Sequence, residues 1–453
     1  MLRVMANPHV RSEEPPAQTP LLDSNSNQNR TQEEKDPLQE PEQESQETPL
    51  DQTLRRLEKF LTSLGFNQSS VLGFLLSWTA FIVVGVVVPV LVLVLVPSDC
   101  SGCEKYQIKD FELCIVVPQA CLAAISLLCF SFNLRKYGLR RFLFVDRYSG
   151  QMARLRDRYI KQISGSLRLL AIWVFLCFIL KTAREVIHII YVHQESWWVS
   201  LATLLALVTS WTYVSTISLS ASILFHLVCN LQVIHFDDYG KLLESESNVF
   251  IFMEEHIRLR YYLSKISHRF RIFLVLEFLV VTASQFITLL QITEYGSMIT
   301  IINGGDFAVS TIVQVVGVII CLHAATKISH RAQAIASLAS RWHALVTSAS
   351  TDASQQRIPP SLGNLEAANQ VNLLYRNYSE SDLESLDSVG LTTQPPSHAS
   401  SYHKRQAFVM YLQSNPGGIT IFGWTVDRTL INTIFFIELS LVTLVLGKTI
   451  IFN

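Results

Sequence analysis

The sequence has little charge for its length. Asp, Glu, Lys and Arg make up 16% of its 453 residues, whereas soluble domains carry about 25%. Hydrophobic residues make up 49%, and the mean hydropathy is +0.30. A soluble protein of this size needs more polar side chains to cover its surface. The composition therefore excludes an ordinary cytoplasmic enzyme and indicates an integral membrane protein.

The first 50 residues lack the apolar run of a signal peptide. They contain ten acidic and four basic residues, and Pro, Gln, Glu, Ser and Asn predominate. A segment of this composition cannot bury enough apolar surface to offset its conformational entropy. We therefore predict a disordered acidic tail over residues 1–53 on the cytoplasmic side, and we expect the first spanning helix to direct membrane insertion.

A short amphipathic helix is predicted directly after the tail. Leu54, Leu57, Leu61 and Leu64 fall on one face of a helix, and the basic residues nearby fall on other faces. Two interpretations fit this pattern about equally well. The helix lies on the inner leaflet with its leucines in lipid, or it is a plain extension of the first membrane helix.

Seven apolar segments are long enough to cross a bilayer as helices, which takes about 20 residues. They cover residues 70–96, 113–133, 167–192, 199–229, 272–293, 298–326 and 419–451. Lys and Arg are concentrated after the second, fourth and sixth segments and are scarce in the other loops. By the positive-inside rule, the N-terminus is cytoplasmic and the C-terminus extracellular. The predicted fold class is an all-α membrane protein with seven transmembrane helices, oriented oppositely to a G-protein-coupled receptor.

Cysteine is scarce as well, with eight residues in the chain. Five of them lie in or at the end of apolar segments, where a thiol acts as a small hydrophobic side chain. The other three are Cys100, Cys103 and Cys114, in or beside the loop after the first span. A disulfide among these three is predicted for an oxidising exterior, with the pairing left open.

The motifs of membrane-embedded enzymes are absent from the sequence. A seven-span zinc hydrolase commonly uses histidines one helical turn apart, and no His-x-x-x-His occurs among the 12 histidines. An intramembrane aspartyl protease needs two facing aspartates, for which Asp306 and Asp427 are the candidates. Its Gly-x-Gly-Asp motif is incomplete at Asp306, because position 303 is Asn. We therefore predict no catalytic residues, no metal site and no cofactor. Nothing in the composition indicates nucleic-acid binding.

The chain between the sixth and seventh spans has two unlike parts. Residues 349–402 are rich in Ser, Thr, Gln and Pro and are predicted to form a disordered cytoplasmic loop. Residues 403–453 are predicted to contain a cytoplasmic anchor helix, a break at residues 415–418 (Asn-Pro-Gly-Gly) and the seventh span. Residues 54–348 hold the amphipathic helix and spans one to six with their cytoplasmic helical extensions.

A stripe of small and polar residues runs along the last predicted span. On a helical wheel, one side carries Thr425, Thr429, Asn432, Phe436, Ser440, Thr443 and Gly447. A polar face toward lipid is unfavourable. The stripe therefore mediates helix packing, or it lines a wetted pore in which Phe436 forms a hydrophobic gate. We favour the pore, because the stripe runs through nearly the whole membrane depth.

Ionisable residues inside spans need partners within the protein. Glu438 lies opposite the stripe, and Lys181 or Arg184 of the third span is its predicted partner. The outer halves of spans three to six also gather polar and aromatic side chains, a mixture that can line a ligand pocket open to the outside. These residues are His188, Tyr191, Gln285, Thr288, Gln291, Asn303, Asp306 and Gln314.

The architecture resembles that of the insect gustatory and odorant receptor channels, with the N-terminus inside, long inner loops and a cytoplasmic helix broken before the last span. The segment GITIFGWTVDRTLINTIFFIELSLVTLVLGKTI at residues 418–450, with the acidic inner tail, is similar to the plant gustatory-receptor-like proteins. The resemblance implies a homotetramer in which the last helix of each subunit lines one central pore. It also implies an outward-facing pocket in each subunit. The insect signature pairs Thr with Tyr in this span, whereas here Leu444 follows Thr443.

Together these observations predict a ligand-gated, cation-permeable channel in the plasma membrane. Its expected partners are membrane lipid, further copies of the same chain and a small-molecule ligand. The competing interpretation is a non-conducting membrane scaffold or receptor, for which the acidic tail and the long inner loop would bind protein partners. The seven-span zinc hydrolase is the weaker alternative.

Overall fold

A computed structural model shows a protein that is helical over nearly all of its described residues. These residues are 48–68, 70–95, 109–145, 149–191, 197–245, 248–294, 301–355, 397–434, 436–437 and 440. Strand structure within them is limited to a hairpin of two short strands.

The described ranges contain the following elements in chain order. They are α1 (Pro49–Ser63), α2 (Val71–Ala80), a π-helical segment (Phe81–Val87), α3 (Val88–Leu95), α4 (Lys109–Phe142), α5 (Ser149–Tyr191), α6 (Trp197–Ser245), α7 (Val249–Glu294), α8 (Ile301–Gln355), α9 (Ser397–Ser414), β1 (Thr420–Ile421) and β2 (Trp424–Thr425). Residues 428–434, 436–437 and 440 are again helical and belong to what we call the last helix.

Six helical segments are long and apolar enough to cross a membrane, and they correspond to the first six predicted spans. Helices α5 to α8 contain 43, 49, 46 and 55 residues. At 1.5 Å per residue they are about 65–80 Å long, roughly twice the thickness of the hydrocarbon core. The predicted helical extensions of these spans are therefore present. The seventh span lies largely outside the described residues and stays a prediction.

Helix α6 is the central helix of the bundle. The apolar window of its span is 89% buried, and the helix packs against α4, α5, α7 and α8. Residues 218–222 read Ser-Leu-Ser-Ala-Ser, and all five are buried. Small side chains of this kind allow close helix approach in a membrane, where the hydrophobic effect between helices is weak.

A cluster of phenylalanines fixes α4, α6 and α7 against one another. The ring of Phe130 lies 4.9 Å from that of Phe273 and 5.5 Å from that of Phe270. Phe225 of α6 lies 5.2 Å from Phe270. Each such aromatic pair adds about 0.5–1.5 kcal/mol beyond the burial of its area, so the cluster is a major source of packing energy.

Helix α1 is amphipathic as predicted, but its apolar face does not contact lipid. The helix begins after Thr48, whose Oγ1 accepts a hydrogen bond from the N–H of Asp51 at 3.3 Å. Leu54, Leu57 and Leu61 are at most 4% exposed, and Leu57 and Leu61 face α5 and α6. The inner-leaflet interpretation is therefore wrong for this face, because protein already covers the leucines.

The seventh predicted span begins with a β-hairpin and not with helix. Ile421 pairs with Trp424 across the hairpin. Phe422 and Gly423 between them have φ values of 49° and 91°, as a type I′ turn requires. Thr425 therefore lies in a strand, and its assignment to the helical stripe is wrong, because the two positive φ angles are incompatible with a helix through this segment.

The hairpin is attached to α7 and α8 by hydrogen bonds. Ser329 Oγ of α8 accepts a hydrogen bond from the N–H of Ile419 at 3.1 Å. Ser267 Oγ of α7 accepts one from the N–H of Thr420, also at 3.1 Å. The start of the last helix is thus held in place by two long membrane helices.

Three predicted domain boundaries differ from the structure. Helix α1 begins at Pro49, inside the predicted tail of 1–53. Helix α8 continues to Gln355 and α9 begins at Ser397, so both enter the predicted loop of 349–402. A helix that packing has nucleated propagates into polar sequence, and composition alone therefore misplaces its ends. Residues 1–47 and 356–396 lie outside the described residues.

The burial of α1 leads to a test by mutation. Leu57→Ala is expected to lower the free energy of unfolding by about 2–5 kcal/mol, because it opens a cavity between α1, α5 and α6. Leu72→Ala is the control, since Leu72 is 77% exposed and its loss creates no cavity. Denaturation of the purified protein in mixed detergent micelles measures both. If both substitutions lowered the free energy of unfolding by equally small amounts, we would infer that α1 lies on the membrane surface and is not packed against α5 and α6.

Candidate functional site

A pocket lies among five of the membrane-spanning segments. Its lining comes from the π-helical segment with α3 and from α4, α5, α6 and α8. Its empty space is about 1020 Å³, including the open mouth. The walls carry apolar side chains such as Val92, Leu204 and Leu207, and charged groups collect at one end. A concave, largely apolar site with a few polar groups is typical of small-molecule binding.

The first span changes its winding where it borders the pocket. Phe81–Val87 is π-helical, and the following Pro89 has no N–H to donate to the carbonyl of Gly85, as an α-helix would require. A Cβ added to Gly85 would lie 3.1 Å from Val214 Cγ2. The glycine therefore allows close contact with α6. Short π-helical turns are frequent at functional sites.

Five ionisable side chains meet at the polar end of the pocket, and each is at most 8% exposed. Lys181 Nζ lies 2.8 Å from Glu185 Oε1 and also pairs with the carboxylate of Asp306. Arg184 Nη1 lies 2.8 Å from the same oxygen of Glu185. Nη2 of Arg184 lies 3.7 Å from Glu112 Oε1. We call these five residues the charge cluster.

The charge cluster joins three helices. The pair of Lys181 with Asp306 connects α5 to α8, and the pair of Arg184 with Glu112 connects α5 to α4. Removing one partner of such a buried pair costs about 3–5 kcal/mol, since the other charge stays behind without compensation. With every group ionised, the cluster has three carboxylates and two cations. It then carries one excess negative charge.

Two buried nitrogen atoms at the pocket have no hydrogen-bond partner among the described residues. They are Nε1 of Trp211 and Nε2 of His188, and both side chains line the pocket. The ammonium group of Lys181 lies 5.8 Å from the centroid of the Trp211 ring. An unsatisfied buried polar atom costs about 1–3 kcal/mol. Water or a ligand with polar atoms would therefore gain by binding here.

A family model described as "Protein of unknown function (DUF3537)" matches residues 52–437, which is most of the chain. This chain belongs to the DUF3537 family. A comparison of the sequence with curated proteins gives no significant match.

The fold of this DUF3537 protein is similar to that of an insect olfactory receptor. The structure of OR5 from Machilis hrabei in complex with eugenol aligns with a TM-score of 0.51 and 13% sequence identity, over 87% of this chain and 98% of the receptor. A second structure of OR5 gives 0.50 and 12% identity, over 87% and 99%. The described structure is therefore an all-α membrane fold of the insect-receptor type.

The structure brings part of the predicted pocket together. His188 and Asp306 line the pocket. Gln285 and Gln291 do not, and none of the described side chains of α7 contributes to the lining. Gln314 lies two turns beyond Asp306 on α8 and is buried outside the lining. The side chains of Tyr191, Thr288 and Asn303 lie outside the described residues.

Two predicted pairings reach beyond the described residues and stay predictions. Lys181 and Arg184 have carboxylate partners on α4, α5 and α8, whereas their predicted partner Glu438 is not described. Cys114 Sγ lies 3.0 Å from Gln291 Nε2, which donates a hydrogen bond to it. The predicted disulfide partners of this cysteine, at positions 100 and 103, lie outside the described residues.

Sequence reasoning did not include Glu112 and Trp211 in the site. A signal for Glu112 was present, because it stands at the start of the second span, at the depth that the predicted topology gives to Arg184. Matching isolated charges by their depth in neighbouring spans would have suggested this pair. Trp211 had no comparable signal, since an aromatic residue in an apolar span is usually part of the core.

The predicted pore residues lie on an uncovered side of the last helix. Within the described part, the exposed ones are Thr429, Asn432, Phe436 and Ser440. The side chain of Phe436 is 71% exposed. Packing within one subunit therefore does not explain the stripe at these four positions. Thr443 and Gly447 lie outside the described residues.

The charge cluster makes a prediction about stability. Asp306→Asn is expected to lower the free energy of unfolding by about 3–5 kcal/mol, because Lys181 loses a partner while it stays buried. The double variant Lys181→Met with Asp306→Leu should recover most of that loss, since it removes both charges. Unfolding in mixed detergent micelles measures each variant.

The matched control is Asp51→Asn, which breaks an exposed ion pair of 2.6 Å with Arg140. Such pairs contribute less than about 1 kcal/mol. If Asp306→Asn costs no more than this control, the buried cluster does not hold the helices together.

Proposed function

We propose that this DUF3537 protein is a ligand-gated ion channel of the plant gustatory-receptor-like type, located in the plasma membrane as a homotetramer. The observation that carries the proposal is the pocket with its charge cluster inside the membrane bundle. Ionisable residues inside membrane spans are energetically costly and rare, and they commonly mark a functional site. The fold similarity to an insect olfactory receptor supports a receptor with an internal ligand site.

In the proposed orientation, the N-terminus and the long helical extensions are cytoplasmic, and the last helix crosses outward as a seventh span. The concentration of Lys and Arg after the second, fourth and sixth spans supports this arrangement. The pocket then opens toward the outer side, where its ligand arrives from the exterior or from the outer leaflet.

The last helix is the proposed pore lining, with four copies around one axis. The stripe is exposed at Thr429, Asn432, Phe436 and Ser440 in the single subunit, which leaves it free to face a water-filled axis. Phe436 is the proposed gate, because a ring of apolar side chains closes a narrow pore by excluding water. The stripe contains no ionised side chain, so cation permeability rests on the resemblance to insect receptor channels.

The chemistry of the pocket suggests its ligand class. Apolar walls favour a compact hydrophobic body, and the nitrogen atoms of Trp211 and His188 favour a ligand with hydrogen-bonding groups. The cluster has three carboxyl groups for two cations, which favours a ligand group that donates hydrogen bonds. We therefore infer a small amphipathic molecule with both donor and acceptor atoms.

Helix α8 provides the proposed coupling between ligand and pore. Asp306 near its start belongs to the charge cluster, and Ser329 further along it binds the backbone at Ile419, ahead of the last helix. A ligand that displaces Asp306 from Lys181 would shift α8 as a rigid rod. The same shift would reach the base of the pore helix, since a packed bundle moves in discrete steps.

The oligomeric state tests the proposal first. The detergent-solubilised particle is expected to contain four chains, that is, four times the chain mass of 51.2 kDa, as measured by light scattering or mass photometry. A particle with one chain would leave the stripe without a central axis. A monomeric particle would favour the alternative of a non-conducting receptor, in which the ligand pocket is present and no pore is formed.

The gate assignment is tested by conductance in planar bilayers. Phe436→Ala should raise the basal leak several-fold, because it widens the apolar constriction. Ile437→Ala is the control, since Ile437 is also apolar and half-exposed but lies about 100° around the helix. An unchanged leak in a well-expressed Phe436→Ala tetramer would remove Phe436 from the gate.

A further inference from the structure

A second cavity lies between α8 and the start of the last helix, apart from the ligand pocket. Five of its nine lining side chains are basic or histidine: His323, Lys327, His330 and Arg331 of α8, and Arg428 of the last helix. None of these nine described residues is acidic. We call this cavity the basic groove. Its empty space is about 950 Å³, including the open mouth.

Most of the positive charge in the basic groove is not neutralised by the protein. Lys327 Nζ donates a hydrogen bond to the amide oxygen of Asn230 at 2.9 Å, which orients the ammonium group without cancelling its charge. Arg331 Nη1 lies 3.5 Å from Asp237 Oδ1, an exposed pair. Arg428 has no ion-pair partner among the described residues. At least two full positive charges therefore remain for an external anion.

The groove also has an apolar side. Ile319 and Leu322 precede the basic residues along α8, and Ile431 follows Arg428 by one turn of the last helix. Along α8, Ile319 and Leu322 lie within the predicted sixth span of 298–326, and Lys327 and Arg331 lie beyond it. Arg428 and Ile431 both lie near the start of the last helix, within the predicted seventh span of 419–451. The groove thus changes from apolar to cationic where α8 leaves the membrane. A free phosphate compound would leave the apolar side unused.

We propose that the basic groove binds an anionic phospholipid of the inner leaflet. The phosphate headgroup lies among Lys327, Arg331 and Arg428, and an acyl chain runs along Ile319 and Ile431. Basic pockets between membrane helices on the cytoplasmic side are suited to such headgroups. Bound lipid would bridge α8 and the last helix, so it would stabilise their contact in the folded subunit. This binding does not depend on ion conduction.

Binding is tested on the full-length protein in detergent, with short-chain phosphatidic acid as the probe and native mass spectrometry as the readout. Phosphatidic acid should remain bound, whereas phosphatidylcholine of the same chain length should not. The variant Lys327→Gln with Arg428→Gln should raise the dissociation constant for phosphatidic acid roughly 30-fold, as expected for the loss of two cationic contacts. The single variant Arg428→Gln should raise it about fivefold.

The control variant is Lys241→Gln with Arg341→Gln, which removes the same charge from exposed positions outside the groove. It should leave binding unchanged, and a loss equal to that of the groove variant would show nonspecific attraction and overturn the proposal. If the double groove variant misfolds, the single variant Arg428→Gln provides the test of lipid binding. It is expected to fold, because Arg428 is exposed and its side chain makes no described hydrogen bond or ion pair.

Two competition experiments with the wild-type protein separate the sources of the anion. Glycerol phosphate and inorganic phosphate should not displace phosphatidic acid at equal concentration, because neither has an acyl chain. Displacement by either would assign the groove to a soluble phosphate compound and overturn the lipid proposal. Equal retention of phosphatidylcholine would show that the headgroup charge is not recognised, and would overturn it as well.

Discussion

The ion pair between Lys181 and Asp306 is the contact on which the arrangement of the membrane bundle depends. Burying a charge away from bulk water is costly, so both of these groups require partners within the protein. The pair lies between α5 and α8, and Arg184 extends the network to Glu112 on α4. Apolar helices in lipid gain little from moving together. Specific polar contacts of this kind therefore decide which helix faces which.

The same network also forms part of the wall of the pocket. The π-helical turn before Pro89 displaces the first span locally, and Gly85 allows the close contact with α6 that compensates for it. The cavity thus lies beside the buried charges of the bundle. Its apolar walls are ordinary span residues.

Helix α8 is the longest described helix, and it connects three features of the molecule. Its first turns carry Asp306 in the charge cluster, its middle carries Lys327 in the basic groove, and Ser329 holds the hairpin that precedes the last helix. Arg260 of α7 adds a hydrogen bond of 2.8 Å to Asn415. The base of the last helix is therefore fixed to the bundle, while its polar side stays uncovered.

The sequence determined the elements of this protein, and only the tertiary structure decided their contacts. Local hydropathy and the spacing of apolar residues predict six spans, the long helical extensions and the amphipathic α1. A bilayer sets the minimum length of a span, and a helix sets the spacing of the residues on one face. Lys181 and its partner Asp306 lie 125 residues apart in the chain, and helical period contains no information about which neighbouring helix each of them faces. The same limit applies to Leu57, which would fit lipid or protein equally well by its pattern. It was protein packing, and not amphipathicity, that decided between them.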